Sequence, residues 1–117
     1  MFVSMLKSKL HMARVTDAQL DYNGSLTIDL DLMDAVGILP FEKILVANVE
    51  NGERFETYAI SGARGSGTIC LNGATAHKGS IGDRVIIFSF AILTPEEAAG
   101  HTPRTMRLNE HNRPMPD

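Results

Sequence analysis

A chain of 117 residues is long enough for one domain and too short for two ordinary ones. Its net charge of −3, with lysines and arginines scattered, counts against a nucleic-acid protein, whose affinity needs clustered cations. The single cysteine, Cys70, excludes an intrachain disulfide and a cysteine-based zinc cluster, and no stretch approaches the roughly 18 apolar residues of a membrane helix.

The first residues, Met1-Phe2-Val3-Ser4-Met5-Leu6-Lys7, lack an apolar run of signal-peptide length, so the chain is expected to stay in the cytoplasm. Leu10 to Thr16 and Leu26 to Leu30 carry the alternating or β-branched patterns of strands. Between them Asp21-Tyr22-Asn23-Gly24 reads as a turn. Asn-Gly is a strong hairpin signal because both residues tolerate positive φ, and it recurs at Asn51-Gly52 and Asn72-Gly73. Asp31 to Val36 suggests one short helix stopped by Gly37. Lys43 to Val49 and Glu53 to Ile60 read as strands around the Asn51-Gly52 turn, and Ser61 to Gly67 as a loop. Thr68 to Leu71 and Arg84 to Ala91 complete the strands, and Pro95 to Ala99 is one helical turn. The single domain is expected to span residues 1–95. Residues 96–117, with polar composition and little periodicity, are expected to form a flexible tail.

Glu42-Lys43-Ile44-Leu45-Val46 echoes Asp83-Arg84-Val85-Ile86-Ile87. With so many short strands, the echo leans towards a small, mainly β barrel with pseudo-symmetric halves. Gly-Ser occurs at Gly24-Ser25, Gly65-Ser66 and Gly79-Ser80, and such a pair by itself is a turn signal with no chemistry attached. His77, His101 and His111 do not form a metal-spaced set, so no metal site is expected.

Lys9-Leu10-His11, Val15-Thr16, Ala18, Leu20, Tyr22 and Gly24-Ser25 resemble the aspartate 1-decarboxylase family. The resemblance continues through Asn51-Gly52, Arg54-Phe55, Thr57-Tyr58-Ala59-Ile60, Arg64-Gly65-Ser66, Asn72-Gly73-Ala74 and Gly82-Asp83, in order and spacing, over residues 5–95. It implies a double-psi β-barrel, a homotetramer, and self-cleavage between Gly24 and Ser25. Ser25 would become a pyruvoyl group, with no metal and no pyridoxal phosphate. L-aspartate would form a Schiff base with that group and leave as β-alanine and CO₂, feeding pantothenate and coenzyme A synthesis. Some members need a helper protein to mature, and the resemblance leaves that requirement open.

The same resemblance assigns roles that the residue types can perform. Glycine at position 24 permits close approach to its carbonyl, and a developing oxyanion needs a donor, the role assigned to Thr57. Arg54 suits a carboxylate through two parallel hydrogen bonds, and Lys9 supplies a second cation. Tyr58 is the proton donor, since a phenol is protonated at neutral pH. Asn72, Gly73 and Ala74 would bind substrate, and His11 and Tyr22 match the pattern without a settled role. Read alone, each has a plainer part. Thr57 and Tyr58 are strand residues, Lys9 and Arg54 surface charges, Asn72 a turn asparagine, and His11 a core or interface histidine.

Three positions depart from the family pattern: Leu26 where a small or polar residue often follows the serine, Ala47 in place of an aromatic, and Thr75 in place of a small residue. Two other readings stay open. One is a barrel that never matures and acts as a binding or regulatory subunit; the other is a small DNA-binding barrel, against which the acidic balance counts.

Overall fold

In the computed structural model, which describes residues 1–116, the first strand is far longer than its alternating pattern suggested. The order is β1 (Val3–Arg14), β2 (Asp17–Gln19), β3 (Ser25–Asp29), α1 (Leu30–Val36), β4 (Lys43–Asn48) and β5 (Arg54–Gly62). Then come β6 (Ile69–Asn72), a 3-10 helix (Gly73–Lys78), β7 (Arg84–Leu93), α2 (Pro95–Ala99), β8 (Arg104–Leu108) and β9 (Pro114–Met115). The strands form one mixed sheet in the order β2-β6-β3-β5-β4-β7-β1-β8-β9.

That order forces the sheet to curl. Only Val15 and Thr16 separate β1 from β2, yet five strands lie between these two in the sheet. The two residues bond to parts of it that three strands separate. Val15 N–H donates to Asp83 C=O at 2.9 Å, at the start of β7, while Thr16 N–H donates to Ile69 C=O at 2.8 Å on β6. Thr16 Oγ1 also accepts from Ile69 N–H at 2.9 Å. The result is the small barrel that the sequence leads one to expect.

Inward positions follow the period of two. Leu10, Leu26, Ile28, Val46, Ile69 and Ile87 are fully buried, and Leu32, Met33 and Val36 of α1 close the same core. The echoing segments are neighbours: β4 pairs antiparallel with β7, Val46 opposite Ile87. Helix α1 starts on buried Asp29, whose Oδ1 accepts from Asp31 N–H at 2.9 Å, and ends at Gly37, whose φ of 78° an L side chain rarely adopts.

Only one of the three Asn-Gly pairs makes the expected hairpin. Gly52, with φ 74°, turns β4 into β5. Asn23-Gly24 joins β2 to β3, which lie on either side of β6 and do not pair with each other. Asn72-Gly73 ends β6 and opens the 3-10 helix instead of a turn. Strand pairing across the barrel overrides the local signal.

The flexible tail is a larger correction. Strand β8 adds to β1 in parallel, Lys9 opposite Thr105 and His11 opposite Arg107. Met106 packs against the core and Leu108 is buried in it. The Arg104 guanidinium donates to the Asp34 and Ala35 carbonyls at the end of α1, each at 3.0 Å. Asn112, 1% exposed with φ 57°, donates through Nδ2 to Arg14 C=O at 2.9 Å and Gly67 C=O at 2.8 Å. Its Oδ1 accepts from Arg14 N–H at 2.7 Å. Period-two reading misses a five-residue strand whose only buried anchors are Met106 and Leu108.

Asn112→Ala leaves one buried and two part-buried backbone groups without their partner, so it should destabilise the fold by roughly 2–4 kcal/mol. Urea unfolding checks this; a loss below about 0.5 kcal/mol would mean the tail is not held by this side chain.

Candidate active site

Ser25 is the first residue of β3 and only 1% exposed. It lies opposite Asn72 in the antiparallel pairing of β3 with β6. On its other side β3 runs parallel to β5, Leu26 opposite Ala59, so the preceding residues Ser25 and Tyr58 stand at the same level. Leu26 itself is fully buried, which anchors the strand immediately after the serine.

Buried polar groups need partners, and here they supply each other. Asn72 Nδ2 donates to Ser25 Oγ at 3.0 Å and to Thr27 Oγ1 at 2.8 Å. Cys70 Sγ donates to Asn72 Oδ1 at 3.2 Å, which fixes the amide orientation. Burial first, then the nearby Asp17 carboxylate, pushes the Cys70 thiol up from its ordinary value and keeps it a donor. Ser25 Oγ is 3.3 Å from the Asn23 carbonyl, to which it donates. Thr75 Oγ1 donates to Asn72 C=O at 2.7 Å and lies 3.3 Å from Ser25 C=O. Thr75 therefore braces the serine and its partner strand.

Gly73 explains how the 3-10 helix approaches this point. Its φ is 61°, and a Cβ there would stand 2.5 Å from Tyr22 O and 2.7 Å from Gly24 N. The backbones of residues 22–24 and 73 are in direct contact, with no room for a side chain. Gly24, by contrast, has open space where its Cβ would be. Ala74 is exposed on the 3-10 helix beside them. Tyr22, half-exposed, lines a recess of about 360 Å³ together with Thr27, Cys70 and Asn72.

The remaining sequence-derived residues divide by face. Thr57, half-buried, shares the inward row of β5 with Ala59, and among the described residues its hydroxyl has no hydrogen-bond partner. Arg54 and Tyr58 share the outward row, four residues and about 13 Å apart along the strand. Arg54 lies opposite Ala47, and the small side chain at 47 lies opposite Ile86 of β7. Lys9 occupies the same outer face: Lys9 pairs with Phe88, Phe88 with Leu45, and Leu45 with Glu56. Three strand spacings put Lys9 about 14 Å from β5. Lys9 and His11 line a separate recess of about 350 Å³. One chain therefore brings together Ser25, Asn72, Gly73 and Gly24, sets Tyr58 level with them, and leaves Lys9, His11 and Arg54 apart.

Cys70 and Thr27 were missed as site residues. Their signal was available: Cys70 and Asn72 are two apart on one strand, as are Ser25 and Thr27 on its neighbour.

The aspartate decarboxylase family model matches residues 1–115. The chain belongs to the aspartate decarboxylase family. It is 58% identical over 112 residues to the aspartate 1-decarboxylase of Exiguobacterium sibiricum, covering 96% of this chain and 88% of that one. To the aspartate 1-decarboxylase of Thermoanaerobacter pseudethanolicus it is 54% identical over 111 residues, 95% of each chain. Identity to that of Shouchella clausii is 56% over 113 residues, 97% of this chain and 89% of that one.

Gly73→Ala should cost roughly 2–5 kcal/mol, from the positive φ and the backbone overlap, whereas Gly24→Ala should change stability by less than about 1 kcal/mol. Urea midpoints of the two variants measure the contrast; equal losses would show that residues 22–24 and 73 do not touch.

Proposed function

We propose that this chain cuts itself between Gly24 and Ser25 and then decarboxylates L-aspartate to β-alanine and CO₂. The observation that carries the reading is Ser25. Its buried hydroxyl is held by the Asn72 amide, directly after an unencumbered glycine, in a chain whose relatives are named aspartate 1-decarboxylase.

Self-cleavage begins as Ser25 Oγ adds to the Gly24 carbonyl carbon. The Gly24–Ser25 C–N bond then breaks, the nitrogen takes the proton, and Gly24 becomes esterified to Oγ. Loss of the Ser25 α-proton expels the Gly24 carboxylate and leaves a dehydroalanine. One water replaces its nitrogen, ammonia leaves, and a ketone remains at position 25. The Asn72 Nδ2 group, already within hydrogen-bond distance of Ser25 Oγ, keeps a donor at the reacting residue throughout. Thr57 is the proposed donor to the oxyanion at Gly24, and its unpartnered hydroxyl, one residue from Tyr58, is available for it.

Asn72, Gly73 and Ala74 fit such a group, because they offer an amide donor and backbone packed against the residues before position 25. A pyruvoyl ketone at position 25 would supply an electrophilic carbonyl for the aspartate amine and a sink for electrons as CO₂ leaves. Tyr58 Oη holds the proton that the α-carbon then needs. Arg54 clamps a carboxylate and Lys9 adds a second cation. Because Lys9 and Arg54 lie on the outer sheet face and Ser25 is buried, we assign the complete site to a homotetramer. In it one copy's cations serve the serine of another. Exposed Phe90, Ile92 and Tyr58 on that face support assembly. Cytoplasmic β-alanine supply for pantothenate, with or without a maturation helper, is the corresponding role.

Denaturing mass spectrometry tests the cleavage. Mature protein should give a fragment ending at Gly24 and a second, blocked one, lighter by one ammonia than Ser25–Asp117. Ser25→Ala should remain a single chain. A full-length native chain that yields no β-alanine would instead identify a non-maturing barrel. Tyr58→Phe should cleave normally yet lose roughly 10²–10⁴-fold in kcat; unchanged turnover removes Tyr58 as donor.

A further inference from the structure

The recess that holds Lys9 and His11 has a second cation, Arg107, that the sequence did not single out. Strand β8 lies parallel to β1, with Lys9 opposite Thr105 and His11 opposite Arg107. Side chains two apart on a strand share a face, so Lys9, His11, Thr105 and Arg107 all point the same way. Met106, between the last two, turns inward against the core. The recess is about 350 Å³, and no carboxylate lines it.

Neither Lys9 nor Arg107 forms an ion pair or a side-chain hydrogen bond among the described residues. His11 Nδ1 is buried and also lacks a partner. Burial most of all, then Lys9, then Arg107, holds the imidazole below its ordinary pKa, so all three groups share one field. Unpaired cations gathered around a buried polar atom repel each other unless an anion joins them. A guanidinium beside an ammonium, with the Thr105 hydroxyl between strands, suits a carboxylate better than a single charge would.

We propose that Arg107, delivered by the C-terminal strand β8, completes with Lys9 and His11 a carboxylate subsite and is a specificity-determining residue for a dicarboxylate amino acid. The inference rests on the function proposed above, in which Lys9 meets the substrate, and adds to it a residue that the sequence motifs did not mark. The strand that holds the tail in place thereby becomes part of the site.

The test uses full-length protein and succinate, a dicarboxylate with no amine to react. Calorimetry should show succinate binding weakened roughly five- to tenfold by Arg107→Ala and partly restored by Arg107→Lys. In matured protein the KM for aspartate should rise by a similar factor while kcat changes less than about twofold. Arg113→Ala, an exposed tail arginine outside the recess, should alter neither. If succinate binding and KM are both indifferent to Arg107→Ala, the proposal is wrong. If the native chain does not decarboxylate aspartate but its succinate binding still depends on Arg107, the proposed function falls and the anion subsite stands.

Discussion

Two residues, Val15 and Thr16, impose the constraint on which the rest of this molecule depends. They connect strands that five others separate, and their backbone groups bond to β7 on one side and β6 on the other. An open sheet could not satisfy both sets of bonds. Closure removes exposed strand edges over most of the barrel and creates one interior for Leu10, Ile28, Val46 and Ile87. It also sandwiches β3 between β6 and β5, which buries its first residue, Ser25.

Burial of Ser25 would be costly without the polar groups that closure places around it. The Asn72 amide uses both hydrogens, one on Ser25 and one on Thr27, and its oxygen accepts from Cys70. An amide so engaged has a single orientation. Gly73 then brings its backbone against Tyr22 and Gly24, where any side chain would collide. The Ser25 hydroxyl is thus held between the Asn72 amide and the Asn23 carbonyl, which leaves it little conformational freedom to lose in the proposed attack on Gly24. Lys9 and Arg54, the cations proposed to hold the substrate, lie further along the outer sheet face. The distance between Ser25 and these cations within one chain supports the proposal of a site shared between copies.

Much of this was legible in the residues. Apolar runs marked strands over residues 43–49 and 84–91, observed as Lys43–Asn48 and Arg84–Leu93, Gly37 marked the end of α1, and the ordered motifs around Gly24-Ser25 marked the family. What stayed hidden depends on contacts distant in sequence. Asn23-Gly24 and Asn72-Gly73 carry the same local signal as Asn51-Gly52, yet pairing with β6 and packing against residues 22–24 give them other conformations. The tail looked mobile because its order comes from Asn112 reaching Arg14 and Gly67, 98 and 45 residues away. Cys70 drew notice only as an unpaired thiol, since nothing local reveals that it donates to Asn72. Arg107 gained meaning only when β8 was seen beside β1.

Reductive trapping reaches the centre of the account, since it asks whether position 25 itself carries the substrate. Matured protein would be incubated with isotopically labelled aspartate, reduced with borohydride, and its two fragments weighed separately. Label is expected on the fragment that begins at residue 25 and not on the fragment ending at Gly24. Label on a lysine instead, or no label on either fragment while β-alanine is still produced, would contradict it.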